Sequence, residues 1–187
     1  MTRKGQISRE RIIEAANRLI YIKGFNQTSF ADVANEIGIT KGNLHYHFKS
    51  KDEVLDAIVE YRLQGIRMLL SDWDNEFPDA KDRLHRFVQM LVNEEQELIR
   101  YGCPMGSLNV ELGKTQLTQR DRSREMFDMF TNWLDNTFKQ LGNKDHRKLS
   151  QHLLAMAQGA VLMSYVYSDA DLLRNEITLI RKWIDDV

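Results

Sequence analysis

The residues best suited to chemistry in this 187-residue chain cluster in one short stretch, Thr40-Lys-Gly-Asn-Leu-His-Tyr-His-Phe48. On a helix, Leu44 and Phe48 are four apart and face inward together. Lys41, Gly42, Asn43, His45, Tyr46 and His47 then take outward or flanking directions. Lys41 is a cation that can meet phosphates, and Gly42 lets the backbone come close to a duplex. Asn43 and His45 carry donors and acceptors suited to base edges. Tyr46 offers a hydroxyl on a flat apolar body. Cations that position, with amides and rings that read, are what docking in a DNA groove requires. A metal reading of His45-x-His47 fails on geometry, because i and i+2 on a helix point apart.

These residues need elements to hold them. Ser8 can cap a first helix whose Ile12, Ala16, Leu19 and Ile20 share one face, and Gly24 sits where a helix-ending glycine belongs. Thr28 and Ser29 open a second, with Ser29-Phe-Ala-Asp32 as a capping box and Phe30, Val33, Ala34 and Ile37 on one side. Gly38 ends it, and Thr40 caps the third helix. Ser50-Lys-Asp-Glu53 reads as a capping box for a fourth, longer helix with Leu55, Ile58 and Ile66 inward. Helices two and three, parted by Gly38-Ile39-Thr40, have the spacing of a helix-turn-helix, whose second member lies in the major groove. Lys51, with the free N–H groups opening helix four, makes an anion site, and Thr28 and Ser29 offer the same chemistry at helix two.

Charge agrees with this placement. Residues 1–51 hold nine Lys/Arg against four Asp/Glu, a balance of +5, while the remainder carries −6. Only the basic front is suited to a polyanion. The single cysteine, Cys103, excludes an internal disulfide framework and a cysteine-built metal site, and it fits a reducing cytoplasmic setting. The N-terminal stretch lacks the apolar run of a secretory leader. The uncharged run Leu153–Ser168 is too short for a bilayer, so no membrane partner is expected. No phosphate-cradling glycine loop or nucleophile elbow is present, no cofactor is implied, and the chain does not read as an enzyme. A helical scaffold for protein partners is the rival reading, and salt-dependent duplex binding separates the two.

The run from Thr28 to Leu55 resembles the DNA-binding signature of TetR-type repressors. Ala34, Gly38, Lys41, Gly42, Tyr46, Phe48, Lys51 and Leu55 take the signature's places, over roughly residues 8 to 58. Asn43 stands for a commoner Thr or Ser, and His45 for a commoner Tyr, which alters the base preference rather than the docking plan. The resemblance implies an all-α fold, with an N-terminal three-helix DNA-binding domain (1–50) joined to a C-terminal helical ligand-binding and dimerisation domain (51–187). It implies a homodimer on an inverted-repeat DNA operator, released by a small-molecule inducer.

Further helices are expected near 81–99, 105–113, 118–141, 147–167 and 171–186, with 71–80 and Tyr101–Pro104 as connections. The helix near 147–167 is apolar on two sides and needs two partners. One can be its own domain and the other the same helix of a second chain; a helix fully buried within a single chain is the other reading. Leu153, Ala157, Ala160, Val161, Ser164, Ile177, Ile180 and Ile184 are the expected dimer contacts. Phe87, Met90, Cys103, Met105, Met126, Phe127, Phe130 and Trp133 are adaptable linings for an apolar ligand, and equally good core. Cys103 lies in Gly-Cys-x-x-Gly-x-Leu-x-x-Glu-Leu112, a pattern resembling a subset of TetR-like regulators, some of which sense electrophiles or oxidants. A helix N-terminus and nearby Arg100 favour an anionic sulfur. A small, inert turn residue is the other reading of Cys103.

Overall fold

The computed structural model describes residues 3–115 and 117–187. Met1 and Thr2, part of the stretch read for a leader, lie outside the described residues. Among the described residues the secondary structure is helical throughout: α1 (Arg3–Lys23), α2 (Phe30–Glu36), α3 (Lys41–His47), α4 (Lys51–Glu76), α5 (Ala80–Asn93), α6 (Glu95–Tyr101), α7 (Pro104–Thr115), α8 (Leu117–Gln140), α9 (His146–Tyr167) and α10 (Ala170–Asp186). The all-α expectation holds.

Local chemistry accounts for most boundaries. α1 already begins at Arg3, so Ser8 lies inside it rather than at its cap. It stops at Gly24, whose φ of +86° is open to glycine and strained for other residues. α4 runs on through residues expected to be a connection. Ile66, Leu70 and Trp73, spaced four and three apart, are all buried and extend its apolar stripe past the polar Ser71, Asp72 and Asp74. The single helix expected near 81–99 is two, α5 and α6, meeting at Glu94. Asp79 caps α5 and Asp169 caps α10, each accepting two backbone N–H groups.

The described chain forms two compact units. The first comprises Met1–Gly65 and Ser107–Glu125, and the second Ile66–Gly106 and Met126–Val187. The first unit thus takes in most of α7, which the division at residue 50 assigns to the C-terminal domain. Its core gathers Ile12, Ala16 and Leu19 from α1, Val33 and Ala34 from α2, Leu44 and Phe48 around α3, and Leu55 and Ile58 from α4. Each Val, Leu, Ile or Phe side chain among them contributes about 1.5–3 kcal/mol when fully buried. That is how α2 and α3, seven residues each, hold their shape when isolated helices of that length would not.

In the second unit α9 packs on α10 and α6, and α10 on α5. The expected dimer contacts are the seam of this packing. Leu153, Ala157, Ala160, Val161, Ser164, Ile177, Ile180 and Ile184 are each no more than 3% exposed within one protomer. They are core, which corrects the expectation that they meet a second chain. The Ser164 hydroxyl is satisfied inside its own helix, donating to the Ala160 carbonyl at 2.8 Å. The outward sides of α9 and α10 carry other apolar residues: Leu162, Met163, Val166, Tyr167 and Leu179, all exposed.

Candidate nucleic-acid interface

The interface is built on caps. Ser29 closes the N-terminus of α2: its hydroxyl oxygen accepts the Asp32 N–H at 3.2 Å, and its own N–H donates to Asp32 Oδ2 at 2.8 Å. The hydroxyl also donates to that carboxylate at 2.6 Å. This bond first, then the Ser29 backbone N–H, holds the Asp32 carboxyl below its usual range. After α2, Gly38 takes φ +67° and the Ile39 N–H returns to the Ala34 carbonyl at 2.9 Å. Thr40 then caps α3, its Oγ1 accepting from the Asn43 N–H at 3.2 Å. Ser50 Oγ accepts from the Glu53 N–H at 3.2 Å, but the Glu53 carboxylate reaches the Lys49 N–H at 2.7 Å. The box at α4 is therefore offset by one residue from the sequence expectation.

Lys41, Gly42, Asn43, His45 and Tyr46 emerge together on the exposed side of α3, with Tyr46 75% exposed. The His45 ring leans on Phe30 of α2, centroids 4.9 Å apart, which fixes its direction. His47 departs from the outward set. It is half-buried, meets Tyr46 edge-on at 5.2 Å, and its Nδ1 is buried without a hydrogen-bond partner. Thr28 departs too: its side chain is buried and its hydroxyl donates to the Gly24 carbonyl at 2.8 Å. It shapes the turn and does not offer that hydroxyl to a phosphate. Ser29 is exposed, with its hydroxyl committed to the cap.

Lys51 lies with its Nζ 4.2 Å from the Phe25 ring centroid and 3.5 Å from the Asn26 carbonyl oxygen. Burial pulls its ammonium below the ordinary lysine range, against the attraction of Glu111, Asp52 and Asp32. A hollow of about 390 Å³ opens beside it, lined by Asn26, Thr28, Ser29, Phe30, His45, Lys49, Ser50 and Lys51. Two lysines and the start of α4 line one small space, an arrangement suited to an anion. Sequence reasoning did not place Lys49 here. Its ammonium donates to the His45 carbonyl at 2.9 Å, at the end of α3.

The ligand-lining candidates belong to the second unit. Phe87, Met126, Phe130 and Trp133 are buried, and Met90, Cys103, Met105 and Phe127 are half-buried. The Phe87 and Phe130 rings pack 5.8 Å apart, and Trp133 meets Trp73 at 5.5 Å. Trp133 also lines a cavity of about 490 Å³ with Asp74, Asn136, Thr137, Lys139 and Gln140. Its indole N–H donates to Asp74 Oδ1 at 2.9 Å, and buried Arg83 donates to the same oxygen at 3.1 Å. Cys103 precedes α7, and its sulfur accepts the Gly106 N–H at 3.3 Å. A Cβ at Gly106 would lie 3.1 Å from Gln158 Oε1, so a larger residue there would make that side chain shift. Among the described residues no cluster could hold a metal ion, and no helix is long and apolar enough to cross a membrane.

A three-helix head that presents Lys41, Asn43, His45 and Tyr46 on one exposed side of its short third helix defines a helix-turn-helix reader of DNA. Residues 12–58 match the model of bacterial regulatory proteins of the tetR family, and residues 80–177 match that of the LmrA/YxaF-like transcriptional regulator C-terminal domain. The chain belongs to the TetR family of transcriptional regulators. It is similar to an uncharacterized HTH-type transcriptional regulator in the lacX 3' region of Lactococcus lactis subsp. lactis, 25% identical over 96% of this chain and 94% of that one. It is 28% identical to the HTH-type transcriptional regulator LmrA of Bacillus subtilis over 84% of this chain and 86% of that one. A TetR transcriptional regulator from Legionella pneumophila shares the fold, with TM-score 0.83 and 24% identity, covering 100% of this chain and 97% of that one.

Proposed function

We propose that the chain is a repressor that works as a homodimer on an inverted-repeat operator and is released by a small molecule. The observation that carries the DNA-reading part is the single exposed surface of α3. Lys41, Asn43 and Tyr46 are exposed on it, and His45 of the same helix lines the anion-suited hollow together with Lys49 and Lys51. Lys41, Tyr46 and the hollow take phosphates and set the register. Asn43 and His45 read base edges. Residue types support this division: the cations are indifferent to sequence, whereas an amide and an imidazole have donor–acceptor patterns that match some bases and not others.

The inducer belongs to the second unit. The cavity at Trp133 has the volume of a site for a drug-sized ligand. It mixes an aromatic wall with Asp74, Asn136, Lys139 and Gln140, which favours an amphipathic molecule bearing polar groups. Cys103 supports a second route, because its half-buried sulfur at the start of α7 is within reach of a small electrophile. In either case the ligand favours a dimer shape that no longer spans two successive major grooves, about 34–36 Å apart. By linkage, the operator weakens the ligand as much as the ligand weakens the operator.

The test is selection from a random duplex pool with the purified chain at moderate salt. An inverted repeat is expected among the bound sequences, with affinity falling steeply as salt rises. Recovery of no motif, or of a single unrepeated site, refutes the reading. The recovered operator then serves to screen amphipathic molecules and electrophiles for release.

A further inference from the structure

Glu111 sits on α7, 86 residues along the chain from the turn that it touches. Its Oε2 accepts the Phe25 N–H at 2.7 Å and its Oε1 accepts the Asn26 N–H at 2.7 Å. Both short bonds are charge-assisted, so one carboxylate holds two consecutive amides of the α1–α2 turn. The backbone makes room for it. Gly24, at φ +86°, has no Cβ, and one placed there would lie 3.1 Å from Oε2. The same turn carries the surfaces on which Lys51 rests, the Phe25 ring and the Asn26 carbonyl. Asn26, Ser29 and Lys51 in turn line the anion-suited hollow. Every residue of this chain of contacts belongs to the first unit.

We propose that Glu111 is a positioning residue for DNA reading: by clamping the Phe25 and Asn26 amides it fixes the turn that aims Lys51 at an operator phosphate. Glu111 touches no DNA itself. The carboxylate matches the two amide donors and leaves the ammonium held by ring and carbonyl rather than by a direct ion pair. Lys51 thus stays available to a phosphate. This inference rests on the DNA-reading proposal, and it has a DNA-free component that can fail separately.

The first measurement is hydrogen exchange of the full chain without DNA. The Phe25 and Asn26 amides are expected to be protected, and to lose that protection in Glu111→Ala while the α1 core amides keep theirs. Unprotected amides in the unmodified chain overturn the clamp whatever the protein binds. The second measurement uses the selected operator duplex with Glu111→Ala, Lys51→Ala and the double variant, over a range of salt. Glu111→Ala is expected to weaken binding about tenfold and to make the log–log salt slope shallower by about one phosphate contact per head. Lys51→Ala should do the same, and the double variant should be no worse than either single one. Additive losses, or an unchanged slope in a folded Glu111→Ala protein, overturn the proposal. A purely structural Glu111 would lower the melting temperature and leave slope and coupling untouched. If Glu111→Ala does not fold, Glu111→Gln, which keeps the shape and one acceptor oxygen, carries the same comparison with smaller losses expected. If the unmodified chain selects no duplex, the positioning role falls with the reading on which it rests.

Discussion

Two neighbours on α3 can be told apart by what their side chains are able to do. Tyr46 is 75% exposed, and a hydroxyl on a rigid ring meets a phosphate equally well on any sequence. Asn43 is exposed one turn nearer the helix start, and its amide can pair with adenine N6 and N7 in the major groove. Tyr46→Ala is therefore expected to weaken binding by a similar factor on every duplex. Asn43→Ala should cost about 1–3 kcal/mol on the best site and much less on sites altered at one base pair, so the preference flattens. Binding curves against the operator and single-base variants check both. Equal losses from both substitutions on all duplexes would overturn the assigned roles. His45 is held on the Phe30 ring and His47 is half-buried against Tyr46. The two histidines therefore differ in role although they look alike in the sequence.

Caps set how firmly these side chains are presented, and the cap of α2 carries a titratable group. Ser29 donates to Asp32 twice, which holds the carboxyl below its usual range. A depressed carboxyl contributes stability that is present above its unfolded value and lost as pH falls through its folded one. The melting temperatures of the unmodified chain and Asp32→Ala should thus differ near pH 7, and the gap should begin to close only below about pH 4 and vanish once pH has fallen through the lowered folded value. A gap independent of pH would mean that the carboxylate is not what the cap uses. The caps at Ser29 and Thr40 and the glycine stops at Gly24 and Gly38 were legible in the sequence, because each is decided within four residues. What escaped was decided at a distance. Thr28 reads as a helix-opening hydroxyl, yet packing turns it inward to the Gly24 carbonyl. α4 overruns its expected end because Trp73 is needed in a core that local composition does not reveal. The Glu111 clamp joins residues 85 and 86 positions apart, and no local pattern announces it.

At the scale of the molecule the unsatisfied element is the outer side of α9. The sequence shows a helix apolar on two sides, but it carries no label saying which side its own chain covers. The structure buries Leu153, Ala157, Ala160, Val161 and Ser164 against its own unit and leaves Leu162, Met163, Val166 and Tyr167 outside, with Leu179 on α10. Leu162, Val166 and Leu179 are each at least 60% exposed, where a helix facing the core on one side alone would carry polar side chains. Ala155 and Gly159, exposed on the same helix, allow a second backbone to come close. A copy of the same two helices about a two-fold axis is the simplest cover, since one patch then meets itself. Charges placed here should split the proposed dimer without disturbing the fold, because none of these side chains lies in the core of the chain. Leu162→Lys with Val166→Glu, made together, is expected to halve the mass in sedimentation while helix content and melting behaviour stay those of a folded chain. An operator of two half-sites then loses its second head, and affinity should fall on the order of a thousand-fold, towards the non-specific level. The core substitution Ala157→Glu should instead unfold the second unit, which separates loss of assembly from loss of structure. If the doubly charged variant kept full mass and full operator affinity, the second chain would have to sit on some other face.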